Sequence, residues 1–326
     1  MTSPKVSVII PVYNTEKHLQ QCCDSLFGQT LKEMEYIYVN DGSADDSVNI
    51  IFRCLENYPE RKNQTKIIDR KENKGISFSR QEGLNAATGE YVIHCDSDDW
   101  VEKEMYQTLY EAAIEKDADI VCCGYVVNYP NAQTSCSIYD NPNFFNPLVF
   151  NISPLTGGVW NKLVRRSIIV DQEICFPSDT NWGEDFCVTI ECLLSANHIE
   201  CINDCLYHYR QNNLSTTHNL SVSKCMELVN VGIHVERFLE KSNKRLEYEF
   251  QLNYLKFQLK APLLMFPECR SISLWKETYK ETKRDVFRYN CSGYLKITAW
   301  LIDHHLTSWA KMILHLRDFL SYIRNK

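Results

Sequence analysis

The sequence predicts an α/β fold, a mainly parallel sheet flanked by helices on both faces, followed by a helical C-terminal appendage. Three observations predict it. Short β-branched apolar runs alternate with helix-periodic segments through the first 127 residues, as in a sheet whose strands are covered on both sides. Residues 128–158 are rich in Asn, Pro and Ser, which suits an irregular loop or lid. From residue 220 onward the periodicity is helical and poor in proline. The expected domains are therefore 1–219 and 220–326.

VSVII (6–10) is a continuous apolar run, read as a buried strand. TEKHLQQCCDSLFG follows, with Leu19, Cys22, Cys23, Leu26 and Phe27 at helical spacing and Gly28 as its stop. The pattern repeats as EYIYV (35–39) with DDSVNIIFRCLENY (45–58), TKIID (65–69) with ISFSRQEGLNAAT (76–88), and YVIHC (91–95) with EKEMYQTLYEAAIEK (102–116). IVCCGYVV (120–127) closes the series, and a further helix is expected from Gly183 to Ala196. In such sheets ligands gather at the carboxyl ends of the strands.

A chain of 326 residues that is 44% hydrophobic and 24% charged has ordinary globular composition. Its net charge of -7 argues against a protein built to grip a nucleic-acid backbone. The 15 cysteines are odd in number, include the adjacent pairs Cys22-Cys23 and Cys122-Cys123, and form no CxxC. Neither a disulfide framework nor a zinc ribbon is indicated, and buried reduced thiols in a cytoplasmic protein are expected. The opening MTSPKVSVIIPVYN lacks the pattern of a secretory signal. No segment approaches the roughly 18 apolar residues of a membrane span.

The densest acidic signal is Asp96, Ser97, Asp98, Asp99, directly after the strand YVIHC. Carboxylates so close repel one another unless compensated, and a divalent cation with oxygen ligands, Mg²⁺ or Mn²⁺, is the simplest compensation. An acidic first helical turn would account for Asp99 and Glu102, but not for Asp96 and Asp98. After the second strand, Asn40, Asp41, Gly42, Ser43 and Asp46 read as a strand-to-helix turn, Ser43 and Asp46 having the spacing of a capping box. Asp41 falls outside that pattern and can accept hydrogen bonds from a uracil imide or a ribose hydroxyl. The first strand ends in Pro11, Val12, Tyr13, Asn14, with Asn14 or Thr15 as an N-cap. Glu184 and Asp185 open the 183–196 helix. Neighbours on a helix point about 100° apart, so one of the two acids can face a cleft. Lys74, Arg80, Lys162, Arg165, Arg166, His208 and Arg210 are the cations that can meet phosphates, Arg80 foremost because its helix leads into the acidic strand. No GxGxxG follows any predicted strand, against a dehydrogenase, and no glycine-rich loop follows the first, against a nucleotidyltransferase.

Together these segments resemble the family 2 glycosyltransferases of bacterial surface-polysaccharide type, with the GT-A, Rossmann-like fold. VSVIIPVYN, VNDGSADDS, ENKGISFSRQEGL, GEYVIHCDSDDW, ADIVCCGY, VWNKLVRRS, GEDF and YHYRQNNLSTTH occur in the family's order over about 6–218. The resemblance implies inverting transfer of a sugar from a nucleotide-sugar donor, a UDP-sugar, to a hydroxyl of a glycan or lipid-linked glycan, in surface polysaccharide or lipopolysaccharide synthesis. It implies that Asp41 contacts the uracil, Asp96 the ribose side, and Asp98 a Mn²⁺ or Mg²⁺ bridging the diphosphate. It makes Asp185 the catalytic base, with Arg80 and Arg210 stabilising the departing diphosphate. Pro11, Val12, Tyr13, Asn14, Lys74, Gly75, Ser97 and Glu184 lie in the matching motifs as further nucleotide-sugar contacts, and His208 joins Asp98 as a candidate metal ligand. The family's Ala-Arg-Asn is replaced here by Ser79, Arg80, Gln81, which keeps the arginine. A catalytically inactive glycan-binding or scaffolding protein on the same fold is the alternative, opposed by the presence of both DSD and GEDF.

The stretch 294–326 places Trp300, Leu301, Trp309, Ile313, Leu316, Leu320 and Ile323 along a helical face, with five Lys or Arg against two Asp. A basic, aromatic amphipathic helix of this kind either lies in a membrane interface, peripheral at the inner face of the plasma membrane, or packs its stripe on its own domain.

Overall fold

A computed structural model describes residues 3–130, 132–136, 157–211 and 221–324. The chain forms two compact units, Met1–Asn213 and Leu214–Lys326, a boundary slightly before the expected one.

In the first unit the strands β1 (Val6–Val12), β2 (Met34–Asp41), β3 (Thr65–Arg70) and β4 (Tyr91–His94) lie parallel in the order β3-β2-β1-β4. Every residue of β1 and β2 is buried, which is why these strands read as continuous rather than alternating runs. Between them run the helices α1 (Glu16–Phe27), α2 (Ser47–Asn57) and α3 (Ile76–Ala86), and α4 (Met105–Glu115) follows β4. The predicted stripe of α1, Leu19, Cys22, Cys23, Leu26 and Phe27, is buried in the main core. Gly83 lets α3 approach the sheet: a Cβ there would sit 2.3 Å from Ile9 Cγ2.

Beyond β4 the sheet turns mixed. β5 (Trp100–Val101), β6 (Ile120–Tyr129), β7 (Ala132–Cys136), β8 (Lys162–Arg165) and β9 (Ile199–Arg210) complete nine strands among the described residues. β8 lies antiparallel between β4 and β6, β9 is parallel to β6, and β5 is antiparallel to β9. The expected loop at 128–158 gives way at its start to a hairpin, since β7 pairs antiparallel with the end of β6; residues 137–156 lie outside the described ones. β9, twelve residues long, was absent from the sequence reading because IECINDCLYHYR carries neither a clean alternation nor an unbroken apolar run. The short helix α5 (Arg166–Asp171) precedes α6 (Glu184–Ser195), which begins after Gly183 in the left-handed region (φ 96°) and matches the predicted helix.

The capping box expected at Ser43 and Asp46 does not form. Ser43 Oγ instead accepts the Asn14 N–H at 3.0 Å, and Asp46 binds Asn49 and Arg53. The β1 and β2 ends are thereby tied to each other.

The second unit is helical: α7 (Val222–Lys241), α8 (Glu249–Lys260), α9 (Pro262–Met265), α10 (Ile272–Glu277), α11 (Gly293–Asp303) and α12 (Thr307–Arg324). Val231, Val235 and Leu239 of α7 and Leu252, Leu255 and Phe257 of α8 are buried. Lys256, also buried, is neutralised by Glu236 and Glu281 at 2.7 and 2.8 Å. The single helix suggested for 294–326 is two, separated by His305 in the left-handed region (φ 62°). Among the described residues no helix is long and apolar enough to cross a membrane. The described cysteines are free thiols and most are buried, Cys175 being exposed.

Candidate active site

Asp41, Asp96 and Asp98 lie where the parallel strands end. Pro11 and Val12 are buried within β1, paired in register with Val39 and Asn40. Tyr13, just past the end of β1, is 50% exposed. Asn14 sits in the left-handed region (φ 53°), and its Oδ1 accepts the Ala44 N–H at 2.9 Å. That bond, with the Ser43 contact, makes Asn14 a link between turns.

Asp41 at the end of β2 is 3% exposed. Its two oxygens accept the backbone N–H groups of Lys74 and Gly75, each at 2.8 Å, and Arg70 adds an ion pair at 2.8 Å. The carboxylate thus gathers Lys74 and Gly75 through their backbones, which sequence alone does not show. Gly75 has φ 94°, and a Cβ there would strike Asn181 Oδ1, so the turn requires glycine. Arg70 was missed. The β2–β3 register places it directly opposite Asp41, and its position one residue beyond TKIID was the available signal. Arg70 and Lys74 both lie over the ring of Phe78, at 4.7 and 4.9 Å.

Arg80, on α3, connects the two ends of the site. It is 3% exposed. One guanidinium nitrogen donates to Asp96 Oδ1 at 2.8 Å and the other to Glu184 Oε1. Burial disfavours charge on Arg80, but Asp96, Glu184 and Asp185 outweigh it and hold the guanidinium firmly protonated. The Arg80 side chain thus spans two carboxylates and sets their relative position. Glu184 is likewise buried and bonded to Arg80.

Asp185 lies half-buried in the first turn of α6, its Oδ1 accepting the Phe186 N–H at 2.7 Å. Burial raises its pKa above the ordinary carboxylate range, opposed by the positive charge of Arg80. Burial also pushes Glu184 up to about 8, against Arg80 and with the help of Asp185. Lys162, in β8, is buried, with Nζ donating to Gly158 O and Asn161 Oδ1 at 2.6 and 2.8 Å, and burial lowers its pKa. Arg165 binds Asp117 and Asp119, and Arg166 donates to Gly89 O; these bonds commit both to the scaffold.

After β4, Ser97 is buried and Asp98 partly exposed. Asp99 is not the helix-terminal acid expected, because β5 intervenes before α4. Buried, it accepts the Tyr207 O–H and the Arg210 N–H, each at 2.7 Å, fastening β9 to the acidic turn; burial, with Asp98 and Asp96 nearby, raises its pKa. Arg210 reinforces the fastening, Nε donating to the Asp98 carbonyl at 2.8 Å and Nη2 to Gln21 Oε1 at 2.5 Å, with its guanidinium 4.6 Å over the Trp100 ring. Glu102 also departs from the helix-cap expectation: it meets His208 Nε2 at 2.8 Å. His208 stacks on Trp100, opposite it in the β5–β9 register, and Asn128 lies 3.4 Å from its Nδ1. Both ring nitrogens thus have protein partners. Among the described residues no group of three His, Cys, Asp or Glu side chains is arranged to hold a metal ion.

The structure resembles S. aureus TarS 1-349 in complex with UDP, with a TM-score of 0.70 at 20% identity over 99% of this chain and 92% of that one. It also resembles the mannosyltransferase PcManGT of Pyrobaculum calidifontis in complex with GDP-Man and Mn2+, with a TM-score of 0.53 at 15% identity over 97% and 86% of the two chains. The fold is thus that of the GT-A glycosyltransferases. Residues 7–169 match the model of glycosyl transferase family 2. The putative glycosyltransferase EpsH of Bacillus subtilis (strain 168) is 31% identical over 78% of this chain and 74% of its own length. The chain belongs to glycosyl transferase family 2.

Proposed function

We propose that this glycosyltransferase takes a sugar from a UDP-sugar and passes it, with inversion, to a hydroxyl of a glycan or lipid-linked glycan in surface polysaccharide synthesis. The observation that carries this reading is the Asp96–Arg80–Glu184 bridge, which joins the acidic turn after β4 to the first turn of α6 bearing Asp185. The donor's reactive carbon and a base are needed at one place, and the bridge joins the two elements that would supply them.

Asp185 accepts the proton of the acceptor hydroxyl as that oxygen bonds to the anomeric carbon. The bond from that carbon to the diphosphate oxygen breaks on the opposite face, and the diphosphate leaves with the electron pair. The donor lies along the strand ends, its base near Asp41 and the exposed Tyr13, its ribose near Asp96. Asp98 is the residue fitted to hold Mn²⁺ or Mg²⁺: a partly exposed carboxylate at a strand end suits cations that take one or two carboxylates and complete their shell with water and substrate phosphates. Such an ion, when bound, offsets negative charge on the diphosphate. The Mn2+ in the structure of PcManGT supports this reading, and the UDP complex of TarS supports the uridine donor. A cytoplasmic location, with contact to the inner face of the plasma membrane through 294–326, completes the reading.

The test is thermal-shift binding and transfer across UDP-, GDP- and CMP-sugars. One UDP-sugar should stabilise wild type and Asp185→Asn alike, while transfer by Asp185→Asn falls on the order of a hundred-fold or more. Failure of every nucleotide sugar to bind, or full transfer by Asp185→Asn, would overturn the assignment.

A further inference from the structure

Among the described residues, the helix α12 (Thr307–Arg324) leaves an apolar face without a partner. Trp309, Met312, Leu316, Phe319, Leu320 and Ile323 are each between 54% and 60% exposed. At about 100° per residue they fall within roughly one third of the helix circumference. The helix is nonetheless anchored. Ala310 and Leu314, on another side, are buried, and Asp318 pairs with Arg270 at 2.7 Å. The stripe therefore does not serve to pack α12 on its own unit, which is one of the two uses open to such a helix.

Charge indicates what covers it. Residues 214–326 carry 18 Lys and Arg against 11 Asp and Glu, whereas residues 1–213 carry 17 against 31. The apolar face thus belongs to the cationic unit of an acidic chain. A second copy meeting this face would bring two cationic units together, a repulsive pairing. An anionic lipid surface supplies the opposite charge and accepts the aromatic and aliphatic side chains. Amphipathic insertion combined with basic attraction is the pair of signals that gives stable peripheral binding.

We infer that the Trp309–Ile323 face of α12 inserts into the interface of an anionic bilayer, with the basic 214–326 unit against the headgroups. The inference rests on the reading of a membrane-side transferase and adds the face and the lipid charge.

The experiment is co-sedimentation of the full chain with phosphatidylcholine vesicles, with and without phosphatidylglycerol, for wild type and a triple variant (Trp309→Ser, Leu316→Gln, Leu320→Gln). These positions are exposed, so the variant should keep its thermal midpoint, which is measured alongside. Wild type should bind anionic vesicles at least about tenfold more tightly than neutral ones, with loss at high salt, and the triple variant should lose that binding. No binding of wild type to anionic vesicles, equal binding to neutral ones, or unchanged binding of the variant would overturn the inference. So would a concentration-dependent dimer that the triple variant abolishes, which would assign the face to a second copy. UDP-sugar binding without vesicles separates the two readings: its loss sinks the transferase reading and leaves the membrane face standing.

Discussion

Buried Arg80 forms an ion pair with the partly exposed Asp96 at 2.8 Å, and the same guanidinium holds Glu184. One residue of α3 thus fixes the donor end of the site to the helix that carries the proposed base. Removing it leaves Glu184 and Asp185, which burial already disfavours as anions, without their cation. Arg80→Met is expected to lose on the order of 3 kcal/mol of stability, read as a lower urea midpoint. Because Arg80 lowers the pKa of Asp185, its loss raises that pKa, so the acid limb of the kcat profile moves to higher pH. Arg80→Lys, which keeps charge but not the forked geometry, should restore the acid limb more fully than it restores kcat. A pH profile unchanged in Arg80→Met would sink the electrostatic part of this account.

Glu184 gives a separate pH signature in stability. Burial pushes it up to about 8 from an ordinary value of 4.5. Between those values the folded state binds a proton that the unfolded chain has released. Stability from this group is therefore fully present below the unfolded value and is lost as pH rises through the folded one. Relative to a variant that cannot ionise at this position, the wild-type thermal midpoint should fall more as pH rises across this window. Glu184→Gln, which stays neutral, should decline less steeply over the same window. Parallel slopes for the two proteins would count against a protonated Glu184.

Gly83 separates packing from chemistry. The 2.3 Å that a Cβ would leave to Ile9 Cγ2 means that Gly83→Ala must push α3 from β1. Overpacking of this kind costs about 1–3 kcal/mol. Calorimetry should report that loss, whereas the acid limb of kcat should stay in place because no titrating group of the site is touched. A shift of the limb as large as that in Arg80→Met would mean that α3 position, not Arg80 charge, sets it.

The strands β1, β2 and β4 were readable because burial on both faces leaves a contiguous apolar run, and α1 because its five buried residues recur at helical spacing. β9 was not, since its mixed burial pattern leaves no periodicity. At the site, residue types pointed to Asp96 and Asp98 and the family resemblance pointed to Asp185, but neither tells what each neighbouring side chain touches. Arg80 and Glu184 look alike in sequence as ligand-facing polar groups, yet they are buried and paired with each other across 104 positions. Asp99 and Glu102 fit the rule for acids at a helix start, yet the short strand β5 intervenes and turns them toward β9. Such assignments depend on long-range pairing, which spacing along the chain does not encode.

His208 and Asp98 make the same point testable. Both are polar residues at strand ends, and the sequence offers both as metal ligands. His208 is stacked on Trp100 and bonded to Glu102 at 2.8 Å, whereas Asp98 is partly exposed beside the proposed diphosphate position. A metal held by one carboxylate and donor phosphates binds weakly in the absence of nucleotide. Mn²⁺ alone should therefore shift the thermal midpoint little, and Mn²⁺ with UDP should shift it clearly more than UDP by itself. Asp98→Ala should abolish the Mn²⁺-dependent part. His208→Gln should keep it, while lowering the midpoint of the unliganded protein through loss of the stack on Trp100. If His208→Gln instead abolishes the Mn²⁺-dependent part while Asp98→Ala retains it, the metal belongs with β9 and the donor must lie across the other side of the acidic turn.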